Sequence, residues 1–271
     1  MQVVTWNVAQ RGTSLLEALA GMCAPDLITL QEVRLEHPDG FRKGLVEMGL
    51  QFVHYSRRVD LPCKSYVNMI ASRWPLDAVE LRYPRKELPW PQALTEVSIS
   101  VGGRSIAVIT SHMPNGARNG WDKIDTFQVL RKLVGEAKGR PCIVTGDLNE
   151  PQFGIHHGRV LTWGQEEGRF KCWNKWTFNE RTGTGEEWDA AVRSLFEGQA
   201  EHGLRHAYWE AHGQGRRDAS HLSRGQKRWF DHIFVSADFR VELCEYLHKL
   251  RGPGLSDHSA LTARLAFGAE S

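Results

Sequence analysis

Residues 2–8 form a short apolar, β-branched run that reads as a buried strand, and residues 13–22 place Leu15, Leu16, Leu19 and Met22 at helical spacing. A second strand is expected over 27–30, running into the polar pair Gln31-Glu32, and residues 41–48 read as a helix. The chain therefore opens βαβα. Short strands are expected over 52–81, chiefly 66–72. Residues 94–101 and 105–112 follow as a hairpin joined by Gly102-Gly103, a dipeptide suited to tight turns. Residues 122–137 carry Ile124, Phe127, Leu130, Leu133 and Val134 on one helical face and feed a strand over 141–147. The last strands are expected over 229–236, 239–247 and 258–265.

The texture changes between 150 and 228. Glycines and histidines are frequent there, and Trp163, Trp173, Trp176, Trp188 and Trp209 interrupt any regular period. This stretch is expected to be a loop-rich insertion with one or two short helices, one of them over 187–196. No repeat and no linker-like segment divides the chain, so residues 1–271 are expected to form a single domain.

With 41% hydrophobic and 24% charged residues, the chain is neither disordered nor fibrous. A formal net charge of +2 is too small to point to a polyanionic ligand by itself. Basic residues do gather locally, as Arg216, Arg217, Arg224, Lys227 and Arg228 and as Arg57, Arg58, Arg82, Arg85 and Lys86. Each cluster alone reads as solvated loop charge. The five cysteines are widely spaced without a CxxC pair, which indicates packing thiols rather than a zinc site or a disulfide framework. No leader pattern and no membrane-length apolar run is present, so a cytoplasmic protein without a membrane anchor is expected.

Chemistry concentrates at the ends of the expected strands. In Ile143-Val144-Thr145-Gly146-Asp147-Leu148-Asn149, strand periodicity would turn Asp147 and Asn149 to one face while Leu148 packs behind them. Asn7, Glu32, His112, Asp231 with His232, and Asp257 with His258 stand at other strand ends or beside them. Any one of these is more often a turn residue than a ligand.

Their order is more specific than any member. Thr5-Trp6-Asn7-Val8, Leu30-Gln31-Glu32-Val33, Met69-Ile70-Ala71-Ser72-Arg73, Thr110-Ser111-His112-Met113-Pro114-Asn115, Gly146-Asp147-Leu148-Asn149, Phe230-Asp231-His232-Ile233-Phe234-Val235-Ser236 and Ser256-Asp257-His258 span the chain end to end. In this order they resemble the endonuclease/exonuclease/phosphatase (DNase I-like) superfamily. The resemblance implies an α+β sandwich of two packed, mainly antiparallel β-sheets flanked by helices in four layers. It also implies phosphate-ester hydrolysis dependent on a divalent metal, Mg2+ with Mn2+ as a substitute.

On that resemblance Glu32 is the main metal ligand, with Asn7 and Asp257 helping to hold the ion or its waters. Magnesium's preference for oxygen donors agrees with such a set. Asp147 is expected to orient or deprotonate the attacking water, Asn149 to donate to a phosphoryl oxygen and His258 to contact the scissile phosphate. Asp231 would bind the other ring nitrogen of His258. His112 would protonate the leaving oxygen or bind phosphate, and Asn115 is a second phosphate donor. AP endonucleases carry a tyrosine where His112 stands and an acid where Ala9 stands, which argues against dedicated abasic-site repair.

The favoured substrate is nucleic acid, DNA or RNA, held in part by Arg224 and Arg228, because arginines hold phosphates and aromatic faces stack on unpaired bases. The alternatives are a small or lipid-linked phosphate ester and, from another class, a non-catalytic binding protein on the same scaffold. No obligate protein partner is indicated.

Overall fold

The alternation of inward and outward side chains builds two six-stranded sheets, seen in a computed structural model that describes residues 1–36, 38–55, 66–81, 83–166, 171–178 and 180–268. Part of the earlier basic cluster (Arg57, Arg58 and Arg82) and Cys63 lie outside the described residues. The first sheet runs in the order Phe239–Leu247, Ala260–Phe267, Gln2–Asn7, Leu27–Arg34, Tyr66–Ser72 and Phe52–Tyr55. The second runs Leu204–His206, Asp231–Ser236, Cys142–Asp147, Arg104–His112, Leu94–Val101 and Leu76–Val79. Each sheet holds one parallel pair, Gln2–Asn7 with Leu27–Arg34 and Arg104–His112 with Cys142–Asp147, and its other pairs are antiparallel.

Helices cover the outer faces. Leu15, Leu16 and Leu19 of Ser14–Ala20, with Phe41 and Leu45 of Pro38–Glu47, pack with Val4, Trp6, Ile28 and Leu30 of the first sheet. Asp122–Glu136 and Gly185–Phe196 bury Phe127, Leu130, Trp188 and Val192 in the core of the second, and Phe196 meets Phe234 with ring centroids 5.4 Å apart. The sheets therefore sit between helical layers, as the resemblance implied.

The inward faces share a gradient. Val3, Thr5 and Asn7 stand level with Leu27, Thr29 and Gln31 in the first sheet, as do Val108, Thr110 and His112 with Ile143, Thr145 and Asp147 in the second. Each strand thus goes from an apolar residue through threonine to an amide, imidazole or carboxylate. The threonine level is joined across the sheets by Thr29 Oγ1 and Thr145 Oγ1 at 2.8 Å, and the next by Gln31 Nε2 donating to Thr110 Oγ1 at 3.0 Å. Each such bond stabilises by about 1 kcal/mol, and losing one partner while the other stays buried costs about 1–3 kcal/mol. The sandwich interior is apolar at one end and becomes polar toward the edge that holds Asn7, Gln31, His112 and Asp147.

Gly146 is required by the backbone. Its φ is 132°, and a Cβ there would lie 1.9 Å from the Ser111 carbonyl oxygen of the adjacent parallel strand.

The described residues between 150 and 228 hold more regular structure than expected. Ile155–His156 pairs with Arg159–Val160, Trp176–Phe178 with Arg181–Gly183, and His221–Ser223 with Gln226–Arg228. Helices occupy Gly185–Phe196, Gln199–His202 and Ala207–His212, and Leu204–His206 is an edge strand of the second sheet. Strands of two or three residues are too short to show a period. The Gly185–Phe196 helix begins before residue 187 because Thr184 and Glu187 close a capping box.

Candidate active site

Residues at strand ends and in the loops beside them converge on one cavity of about 510 Å³, whose walls include Glu32, His112, Asn115, Asp147, Asn149, Asp257 and His258. Asp147 ends the Cys142–Asp147 strand and is 1% exposed. Its Oδ2 accepts from Asn7 Nδ2 at 2.8 Å, and its Oδ1 accepts from the Asn149 backbone N–H at 2.8 Å. Burial works against its charge. The imidazoles of His258 and His112 and these two hydrogen bonds more than offset that and hold the carboxyl below its ordinary range.

Glu32 reaches the cavity through an irregularity. Strand alternation would turn it away from the face of Gln31, but the pairing register shifts between Leu30 and Val33 and Glu32 adopts a φ of 58°. Asn7 Nδ2 then bonds its Oε1 at 3.1 Å, Gln10 Nε2 bonds its Oε2 at 3.0 Å, and His112 Nε2 lies 3.5 Å from Oε1.

His258 faces Asp147 on one side and Asp231 on the other. Its Nε2 lies 3.8 Å from Asp147 Oδ2, and its Nδ1 is 2.8 Å from Asp231 Oδ2. Burial disfavours the imidazolium, but the two carboxylates prevail and raise its pKa to about 10. Ser256 fixes the loop: its Oγ donates to the Asn7 carbonyl at 2.6 Å and accepts from the His258 N–H at 3.0 Å.

The pattern describing the Endonuclease/Exonuclease/phosphatase family matches residues 4–258. The chain belongs to that family. Among solved structures, the 3' phosphatase NExo from Neisseria, bound to product DNA hairpin, is similar at 21% identity and a TM-score of 0.67, over 98% of this chain and 100% of that one. An AP endonuclease from Archaeoglobus fulgidus is similar at 18% identity and a TM-score of 0.66, over 99% and 100% of the two chains. TDP2 from D. rerio, complexed with single strand DNA product, is similar at 14% identity and a TM-score of 0.66, over 98% of each chain. No curated protein matches the chain closely enough in sequence to count as a relative.

Against this family background, Asn7 presents its amide Nδ2 to Glu32 and Asp147, while its Oδ1 accepts from the Ala9 N–H at 2.9 Å. It therefore joins two carboxylates. Asp257 is half-exposed, with His221 Nε2 3.4 Å from its Oδ2; that hydrogen bond outweighs burial and lowers its pKa to about 2. Asn149 lies beyond the strand at a φ of 49° and gives one Nδ2 hydrogen to the Met113 carbonyl at 2.9 Å. Asn115 caps the short Gly116–Asn119 helix by accepting the Ala117 N–H.

The two expected substrate arginines separate. Arg228 lies over the Trp163 ring, 5.0 Å from its centroid, in a second cavity of about 600 Å³ that shares Asn115, Asn149, His221 and Phe230 with the first. Arg224 sits on the turn between His221–Ser223 and Gln226–Arg228 and is not among the residues lining either cavity.

The donor set suits a hard divalent cation. Glu32 offers carboxylate oxygens with spare lone pairs at the cavity wall, and magnesium is commonly held by one or two carboxylates with waters and substrate phosphate. His221, Asp257 and His258 form one cluster, and Asp147, Asp231 and His258 another, each with potential ligand atoms within 4.8 Å of one another.

The site also contains residues that strand-end logic does not reveal. The ring of His221 lies tilted beside that of His258 with centroids 4.5 Å apart, and Tyr66, at the start of its strand, has its ring 5.4 Å from that of His112. Lys123, fully buried on the Asp122–Glu136 helix, donates to the Asn149 carbonyl at 2.6 Å and lies 3.3 Å from Glu150 Oε1.

Proposed function

We propose that the protein is a divalent-metal-dependent phosphodiesterase that hydrolyses nucleic acid. The observation that carries this reading is the placement of Asp147, bonded to Asn7 and facing His258, on the same cavity as Glu32 and His112. Hydrolysis needs an oriented water, compensation for charge on the phosphoryl oxygens and a proton for the leaving oxygen. Asp147 orients the water and takes its proton as the water oxygen bonds to phosphorus. The His258 imidazolium, kept in one orientation by Asp231, and the Asn149 and Asn115 amides hold the phosphoryl oxygens. His112 gives a proton to the leaving oxygen as its bond to phosphorus breaks.

Glu32, with Asp257 on the opposing loop, would hold the cation, magnesium with manganese as a substitute, and a bound cation supplies positive charge against the phosphate. The DNA products in the structures of the Neisseria and D. rerio proteins support a nucleic acid substrate. The cytoplasm suits the free thiols of Cys23, Cys142, Cys172 and Cys244. Among the described residues, no helix is long and apolar enough to cross a membrane.

The test is a panel in magnesium of single-stranded DNA, duplex DNA, RNA, soluble phosphomonoesters and diesters, and lipid-linked phosphate. We expect salt-sensitive turnover of nucleic acid. Turnover confined to the small or lipid-linked esters would contradict it.

A further inference from the structure

We infer that the second cavity is a subsite for an unpaired nucleobase of the substrate strand, beside the scissile phosphate. The inference rests on the nuclease reading and specifies which form of nucleic acid the site accepts.

Trp163, Trp173, Trp176 and Trp188 line this cavity. Three of them are anchored by their ring nitrogens. Trp163 Nε1 donates to the Asn149 carbonyl at 3.1 Å, Trp173 Nε1 to the Trp163 carbonyl at 2.8 Å, and Trp188 Nε1 to Glu150 Oε1 at 2.6 Å. Their donors are thus spent inside the protein; Trp188 is itself buried at the back of the wall, and the half-buried Trp163, Trp173 and Trp176 are the rings with surface to offer a ligand. The rings of Trp173, Trp176 and Trp188 meet at 56–77° with centroids 5.5–6.2 Å apart, forming a corner with aromatic surfaces in several directions. Gln226 and Ser223 on the neighbouring hairpin add donors and acceptors to this aromatic wall.

Charge narrows the ligand. Mutually inclined aromatic rings also suit quaternary ammonium groups. Here, however, among the described residues the charged groups of the lining are Lys175 and Arg228, with Lys123 paired to Glu150 behind it, and no carboxylate lines it. That combination favours a neutral, flat group attached to an anion. A nucleobase has an apolar face for stacking, a polar edge for Gln226 and Ser223, and a phosphate within the same nucleotide for Arg228. The shared residues Asn115 and Asn149 connect the cavity to the scissile centre. A base stacked on these rings has left the stack of a duplex, so the strand must be single or the nucleotide turned out of the duplex.

The test compares a single-stranded oligonucleotide with one of the same length in which every base is replaced by hydrogen on the sugar. For the wild type, kcat/KM is expected to favour the base-bearing strand. Trp176→Ala should reduce that preference by about tenfold or more, as expected for loss of base stacking, and Trp176→Phe should restore part of it. A general structural defect would slow both substrates alike. An undiminished preference in Trp176→Ala, or no preference in the wild type, would overturn the subsite.

A second readout does not depend on turnover. In Asp147→Ala protein, the base-bearing strand should quench tryptophan fluorescence and the base-free strand should not. Equal response to both, or a response only to phosphatidylcholine vesicles, would reject the assignment. If the wild type cleaves no phosphate ester, the nuclease reading fails, while the fluorescence comparison still decides whether the cavity takes a base.

Discussion

The Asn7 side-chain amide donates to Asp147 Oδ2 at 2.8 Å, linking the end of one sheet to the end of the other. The same nitrogen bonds Glu32 Oε1 at 3.1 Å, so one amide sets the spacing of two carboxylates that would otherwise repel. Asn7→Ala removes this tie without adding bulk. We expect kcat on a nucleic acid substrate to fall about 10–100-fold, the usual scale for a residue that orients a site, with the circular dichroism spectrum retained. An unchanged kcat would show that the spacing does not depend on Asn7.

Asp231 acts on His258 through the 2.8 Å contact at Nδ1. Asp231→Asn preserves size but removes the charge that helps keep His258 protonated. The expected loss is about 10²–10³-fold in kcat, because His258 sets less charge against the phosphoryl oxygens in the transition state, with a smaller rise in KM from its ground-state contact. Steady-state kinetics separates the two, and a defect confined to KM would assign Asp231 to substrate binding.

Lys123 and Glu150 form a fully buried pair beneath the tryptophan wall, and Lys123 also holds the Asn149 carbonyl. Lys123→Met should destabilise the protein by roughly 3–5 kcal/mol, because it leaves the Glu150 carboxylate buried without its partner. Adding Glu150→Gln should recover part of this loss. Urea unfolding reads both, and strictly additive losses would mean that the two groups do not interact.

Acid sensitivity should come from a pair of neutral histidines. His206 Nε2 and His232 Nδ1 are 2.9 Å apart, and His232 Nε2 faces the carbonyls of Glu150 and Trp229 at 2.9 and 3.1 Å. Those carbonyls require a donor, so His232 carries its proton on Nε2 and accepts from His206 at Nδ1. Burial lowers the His206 pKa well below 6.5, and the neighbouring His232 adds to this. Burial also lowers that of His232 to about 4, against support from the two carbonyls and Asp147. Below pH 6.5 these two histidines therefore bind more protons in the unfolded chain than in the folded one. Their contribution to stability is complete above that pH and declines toward pH 4, at about 1.4 kcal/mol per pH unit for each histidine. Urea midpoints from pH 7 to 4 should fall steeply for the wild type and less steeply for His206→Phe; equal slopes would place the sensitivity elsewhere.

The main elements were legible because their signals are long and local. Residues 66–72, 94–101 and 239–247 read as strands from composition and alternation and form strands with those bounds. The gathering of Asn7, Glu32, His112, Asp147 and His258 follows from polar residues placed where apolar strands end. The detailed aim of two side chains was not legible. Simple alternation puts Glu32 on the wrong face and treats Asn149 as strand, whereas each adopts a positive φ imposed by neighbouring structure. His221, Tyr66 and Lys123 enter the site through tertiary contacts with residues distant in sequence. The second cavity depends on short hairpins and loops in 150–228, where no period marks which tryptophans share a wall.

The most direct measurement is hydrolysis of a single-stranded oligonucleotide in magnesium by the wild type and by Asp147→Ala, with folding verified by circular dichroism. Without the carboxylate that orients and deprotonates the water, the rate should fall by at least about 10²–10⁴-fold while the fold persists. Hydrolysis by Asp147→Ala at the wild-type rate would contradict the central role of Asp147.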